Sequence, residues 1–453
     1  MTTPTPHRSS RPRRRGLLAA VIVAAIGIAI ATPGLLRNFG PWADATETTQ
    51  AASAGLPTTR PGRAADAGLE KLEQRVKDNP EDFAAHLTLA TAYVQKGRET
   101  GDPAYQSKTD EVLKAAERLD PGHPELLALR GILALARHDF AGALALGKQA
   151  LDQDPERARY YGIVADAQVE LGLYEDAVNS LQEMVNRRPD FEAYSRIAYV
   201  RELHGDLEGA IEAMQFAIEA GASAPESVAW AHVQVGNRYF ELGRLDEASR
   251  EYDAALATVK DYASAYAGQA EIAAARGDLT KAAALFQQAL DQSPTAHYAI
   301  ALGDVAGKQG DAAKAASFFT LARELDRVDA ANGTNTDLEL ARFLVERDLD
   351  PGESLSKARA AYSARPSVDG ADVLAWALFK AGKTDEAEKY AMEALRLNTR
   401  DSVKLFHAAM IQKALGKKPE AKALLEQATN LNPRFSLLHA DAAAAALQEL
   451  RGS

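Results

Sequence analysis

The sequence predicts an all-α solenoid of about ten helical hairpins closed by a C-terminal helix, and three observations carry that expectation. Prolines recur at near-constant spacing, with Pro121, Pro155 and Pro189 set 34 residues apart. A second row of breakers, Gly172, Gly205, Gly243, Gly277, Gly310, Gly382 and Gly416, runs in phase with them. Between the breakers, apolar residues return every three or four positions, the period of a helix with one buried face. A repeat of this length means units that bury their apolar sides only by stacking on one another.

Composition bounds the chemistry before any motif does. The chain has 453 residues, 46% hydrophobic and 25% charged, which fits a packed repeat protein. Its net charge of −11 is uneven. Residues 1–16 hold five arginines and no acid, leaving 47 basic against 63 acidic residues elsewhere. An acidic body disfavours nonspecific nucleic-acid binding, which needs clustered cations to displace phosphate counterions. The absence of cysteine excludes disulfides, thiol catalysis and thiolate-held metals.

Residues 1–16 form a basic tail expected in the cytoplasm, because arginines precede the following apolar run and few come after it. Leu17–Leu36 is twenty residues without a charge, enough to span hydrocarbon as a helix. Trp42 follows, where an indole rests well at an interface. The segment reads either as a single-pass anchor or as a secretory signal, with small residues spaced for cleavage at Ala29 and Ala31 or at Ala43 and Ala45. Either reading places the body outside the cytoplasmic membrane. Residues 37–66 are rich in Thr, Ala, Pro and Gly without a hydrophobic period, and read as a tether.

The repeat array is assigned to residues 67–435 and the closing helix to 436–453. Hairpins are expected to begin near residues 83, 124, 158, 191, 229, 263, 296, 335, 368 and 402. Glycine suits the turn inside each hairpin because it accepts positive φ, and proline suits the connection because it stops one helix and opens the next. Small residues, from Ala90, Gly131 and Ala165 through Gly236 and Gly303 to Ala409, let the first helices approach their neighbours. Large ones such as Leu181, Met214, Tyr252, Phe286, Phe319 and Leu425 fill the gaps. Two irregularities stand out. Residues 98–107 are an insertion expected in the first hairpin's turn, and the approach to the eighth hairpin, 326–336, lacks a proline stop and is a candidate hinge.

Catalytic constellations are not found. Lys383-Thr384 follows Gly382 as in a phosphate-binding loop, but Ala377 stands where the far glycine belongs, and the segment lies between helices. The nine histidines show no metal-ligand spacing, and His407 has no acid–base partner visible in the sequence. No cofactor, metal or small-molecule substrate is expected.

The hairpin carrying His232, Val235, Gly236, Tyr239, Ala248, Tyr252 and Ala255 resembles the tetratricopeptide repeat, and degenerate copies extend over about residues 81–433. The cysteine-free, exported form also looks like envelope-anchored bacterial versions. The resemblance implies a right-handed superhelix whose concave groove is lined by first helices and binds peptides or proteins rather than catalysing. By that resemblance the residues facing the groove include Asp166, Tyr199, Asn237, Glu271, Asp304, Arg342, Trp376 and Met410, with Trp230 on the same side. Acids at Asp166, Glu271 and Asp304 are unfavourable for an acidic peptide C-terminus, so a basic or mixed apolar–basic partner is expected. The resulting expectation is a membrane-tethered interaction scaffold or assembly factor. The alternative is a self-associating structural component of the envelope.

Overall fold

The computed structural model describes residues 63–221 and 223–452. The basic tail, the apolar run at 17–36 and most of the tether lie outside the described residues. Among the described residues, no helix is long and apolar enough to cross a membrane. Within the described residues twenty-two helices follow one another: a leading helix, Arg63–Asp78, then ten hairpins, then a closing helix, Ala440–Gly452.

Hairpin boundaries follow the breakers. The third hairpin pairs Ala158–Glu170 with Tyr174–Arg187, and the sixth pairs Ala263–Ala275 with Leu279–Gln292. All seven phased glycines adopt positive φ, between 70° and 86°. Where the phase lacks glycine, His138 and Asp348 take the same left-handed conformation, at φ 58° and 54°. Every punctuating proline from Pro80 to Pro433 falls between helices. Aspartates close five of the ten second-helix N-termini. Asp139, Asp206, Asp278, Asp311 and Asp350 each accept a hydrogen bond from an amide three residues on.

The expected small residues are all buried, from Ala90 and Ala165 on first helices to Ala248 and Ala421 on second helices. Tyr252 shows how tightly they set the spacing. Its ring is fully buried between the fifth and sixth hairpins, and its hydroxyl donates to Asn237 Oδ1 at 2.8 Å. A Cβ added at Gly236 would stand 2.5 Å from Tyr252 Cε1, and one at Gly268 would overlap the same ring from the other side.

Three local expectations change. The insertion near residue 100 does not enlarge a turn. It lengthens both helices of the first hairpin, Phe83–Thr100 and Ala104–Leu119, and leaves only Gly101-Asp102-Pro103 between them. Helix propagation costs less than ordering an irregular loop, so the chain stays helical until that breaker cluster. The closing helix starts at Ala440 rather than Ser436, because the Ser436 hydroxyl accepts from the amides of Leu438 and His439 and holds a turn. At the suspected hinge, Ala312–Ala331 runs for 20 residues before Asn332 ends it. The buried apolar interior does divide there, one cluster ending at Leu325 and the next opening at Leu338. The connection itself is clamped to the first two hairpins: the Ser107 hydroxyl donates to Asn332 Oδ1 at 3.1 Å, the Asn335 amide to Arg137 O at 3.0 Å, and His138 Nδ1 to Asn335 O at 2.7 Å.

Gly268→Ala is expected to destabilise the array by about 1–3 kcal/mol, since Tyr252 has no space to yield. Tyr252→Phe, which keeps the ring and loses one hydrogen bond, should cost about 1 kcal/mol. Urea titrations of both variants, followed by helical circular dichroism, check the order.

Candidate functional site

Most of the residues expected along an inner row of the first helices are committed to partners within the chain. Asp166 is buried and held by both branches of Arg196, Nε to Oδ1 at 2.9 Å and Nη2 to Oδ2 at 2.8 Å. Asp304 is gripped in the same bidentate way by Arg347, at 2.7 and 2.5 Å. Arg342 stands 3.8 Å from Asp369, and Tyr199 donates its hydroxyl to Glu170 at 3.2 Å. Two of the three acids counted on to face a basic partner are therefore neutralised by the chain's own arginines. The third, Glu271, is half-buried.

The tryptophans pack. Trp376 is 4% exposed and stacks on His407 with ring centroids 4.2 Å apart, so it belongs to the interior and not to an open groove. Trp230 is half-buried with its edge toward Phe191 at 6.0 Å. Asn237 and Met410 are also half-buried, Asn237 against Tyr252 and Met410 against the apolar interior of the last three hairpins.

The partners of Asp166, Asp304, Tyr199 and Trp376 all come from the next or previous hairpin, and in addition the superhelix closes onto itself. The turn inside the third hairpin meets the connections on either side of the ninth: Tyr174 Oη accepts from the Val368 amide at 2.8 Å, and Arg396 donates to Gly172 O at 3.1 Å. The turn of the fifth hairpin meets the end of the tenth, where Asn432 Nδ2 donates to Phe240 O at 2.7 Å. Across the inside, Gln95 Nε2 of the first hairpin donates to Glu226 at 3.1 Å. Arg365 is enclosed at this closure. It bonds Glu170, 195 residues away, reaches Glu339 at 3.2 Å, and lies 5.2 Å from the centre of the Phe140 ring. Both members of the Arg365–Glu170 pair are almost fully buried.

Charge is also concentrated further along. Lys404 Nζ lies 2.7 Å from Asp369 and 2.6 Å from Asp401. Burial alone would raise both carboxyls, but the Lys404 ammonium outweighs it and holds them below the usual range. His407, for which the sequence offered no partner, has Asp372 at 3.0 Å and Glu346 at 3.4 Å. Burial opposes its charged form, yet these two carboxylates push the imidazole up to about 10. Asp372 and His407 sit 35 residues apart, one repeat, at adjacent places on consecutive first helices. That spacing was the signal available in the sequence. Glu346, His439 and Arg365 carry no such mark, because Glu346 meets His407 two hairpins on and His439 in the turn before the closing helix, and Arg365 meets Glu170 from another turn of the superhelix.

Two outcomes are expected. Arg365→Ala strands Glu170 as a buried unpaired carboxylate and should cost about 3–5 kcal/mol, largely recovered when Glu170→Gln is added. Small-angle scattering should show the single variant expanding while its helical circular dichroism is kept. Asp369 and Asp401 have folded pKa values below the roughly 3.9 of an unfolded chain, so their contribution is complete above that value and is lost as pH falls through the folded pKa. Lys404→Met should remove this protection and move the acid unfolding midpoint to higher pH, measured by circular dichroism across pH 2–7.

Three solved structures similar to the chain share little identity with it. The type IV pilus biogenesis factor PilW shares 17% identity over 45% of this chain and 97% of its own, with a TM-score of 0.38. Yeast Tom70 shares 13% over 81% of this chain and 96% of its own, at 0.34. The human IFIT1 dimer shares 16% over 81% and 95%, at 0.41. No curated protein matches the chain. Tetratricopeptide repeat models match residues 134–198, 235–297, 372–401 and 405–435, in register with the second to sixth, ninth and tenth hairpins. The chain, with phased turns, small crossing residues and these matches along its length, is a tetratricopeptide repeat protein.

Proposed function

We propose that the chain is a non-catalytic scaffold or assembly factor that docks a protein or peptide partner. Residues 17–36 tether it to the cytoplasmic membrane and the array lies on the outer side. Tetratricopeptide repeats generally mediate protein–protein interactions, and the finer reading rests on one observation. Along the inner row, Asn237, Glu271, Arg342, Met410 and Trp230 each keep accessible surface, while Asp166 and Asp304 are locked in ion pairs. The accessible members mix apolar, amide and charged groups, which suits a segment with both apolar and basic side chains. The acidic excess of the array favours encounter with such a segment.

A second reading, self-association, is favoured by Leu173, Met392 and Leu438, large apolar side chains exposed among the described residues. Met392 is half exposed on the second helix of the ninth hairpin.

Glu271→Lys combined with Met410→Lys should lower capture of the partner from solubilised membranes at least tenfold, with helical content unchanged. Equal capture by the variant and the parent removes the inner-row reading. Light scattering of the parent across a hundredfold concentration range separates the second reading, which a constant monomer mass would eliminate.

A further inference from the structure

One cluster is used by none of the readings above. It lies where the eighth and tenth hairpins meet the closing helix. Glu346 ends the helix Asp337–Glu346, His407 is in Ser402–Ala414, and His439 immediately precedes Ala440. One ligand atom from each, a carboxylate oxygen and two imidazole nitrogens, lies within 4.8 Å of the others. His407 Nε2 is 3.4 Å from Glu346 Oε1, and His439 Nε2 bonds Oε2 of the same carboxylate.

The surroundings fix how these groups present themselves. Asp372 takes the Nδ1 side of His407, at 3.0 Å to Oδ1 and 3.3 Å to Oδ2. That leaves Nε2 aimed at Glu346, and His407 is only 1% exposed. Nε2 finds no hydrogen-bond partner among the described residues. The ring planes are held as well, His407 by Trp376 and His439 by Phe406, whose ring centroid is 4.9 Å away. A carboxylate behind one nitrogen of an imidazole, with the other nitrogen buried and unsatisfied, is the arrangement that orients a metal-binding histidine. Zinc donors at ~2.0–2.2 Å in tetrahedral array stand roughly 3.3–3.6 Å apart. The His407–Glu346 separation already matches this, and His439 sits on the short turn that leads into Ala440, bonded to the same carboxylate.

We propose that Glu346, His407 and His439 bind a divalent first-row transition cation, zinc in the first instance, with Asp372 as the positioning residue behind His407. Two imidazoles and one carboxylate suit this class better than magnesium or calcium, which prefer oxygen alone, and zinc accepts a tetrahedral site without electronic cost. The Glu346 and His439 side chains keep 11% of their surface open, which gives the ion a path in and leaves a fourth position for water. The cation replaces the protons between the imidazoles and Glu346 and releases them to solvent. Bound there, it ties the closing helix to two hairpins that are not adjacent in sequence.

The test uses the full chain without a histidine tag, dialysed against Zn2+ and then against metal-free buffer. One equivalent should remain, and cobalt in its place should give the visible absorption of a tetrahedral site. His439→Gln and Glu346→Gln should each weaken zinc binding at least a hundredfold, and Asp372→Asn by about 10–100-fold. Zinc should raise the thermal midpoint of the parent but not of Glu346→Gln, which keeps the side chain's shape. A parent that retains no zinc and shows no shift in midpoint overturns the proposal. So does equal retention by the parent and both ligand variants, which would mark adventitious surface binding.

Discussion

Everything in this fold depends on hairpins of nearly constant length crossing at small residues. A hairpin cannot hide its apolar side alone, so each fixes the rotation of the next, and the rotations add up. In this chain the sum brings edges into contact about five and a half hairpins apart: the third with the connections flanking the ninth, the fifth with the end of the tenth. Gly236 and Gly268 on either side of the Tyr252 ring show the tolerance at one crossing. Changing the rotation there by a few degrees would be multiplied along the stack before it reached Arg365 and Glu170.

The local part of this was legible in the sequence because it repeats. Glycine and proline report where each helix must end, and a row of seven glycines at positive φ is seven readings of the same turn. His138 and Asp348 were harder, since a non-glycine residue in that conformation is recognisable only from the phase of its neighbours. Closure was not legible. Superhelical pitch is an accumulated quantity that no residue pattern encodes, so the meeting of Arg365 with Glu170, 195 residues away, left no mark. Asp166 and Asp304 read as groove acids for a local reason: repeat position does not tell how far Arg196 and Arg347 of the next hairpins reach back. Trp376, placed on an inner face by its position in the repeat, is likewise covered by His407 of the next hairpin.

Closure changes what an inner face can offer. An open groove presents charged side chains that a partner can desolvate and pair. Here Asp166 and Asp304 are already paired between neighbouring hairpins and Glu170 across the closure, and what remains is mixed and partly apolar. Selectivity then comes from shape and from a few amide and aromatic contacts more than from net attraction. Buried bridges such as Arg365–Glu170 add little favourable energy compared with an apolar pair of equal size, but breaking one is costly, so they favour a single register between the turns.

The contact between distant edges also limits how such a chain can change its length. Inserting or deleting one whole unit between the third and ninth hairpins would leave each neighbouring crossing intact. Yet Gly172 would then face the wrong connection, and Arg365 would point at a place where no carboxylate waits. Units added beyond either terminus disturb neither. The array is thus free to lengthen at its ends and closed to duplication in its middle, a restriction that an open solenoid does not have.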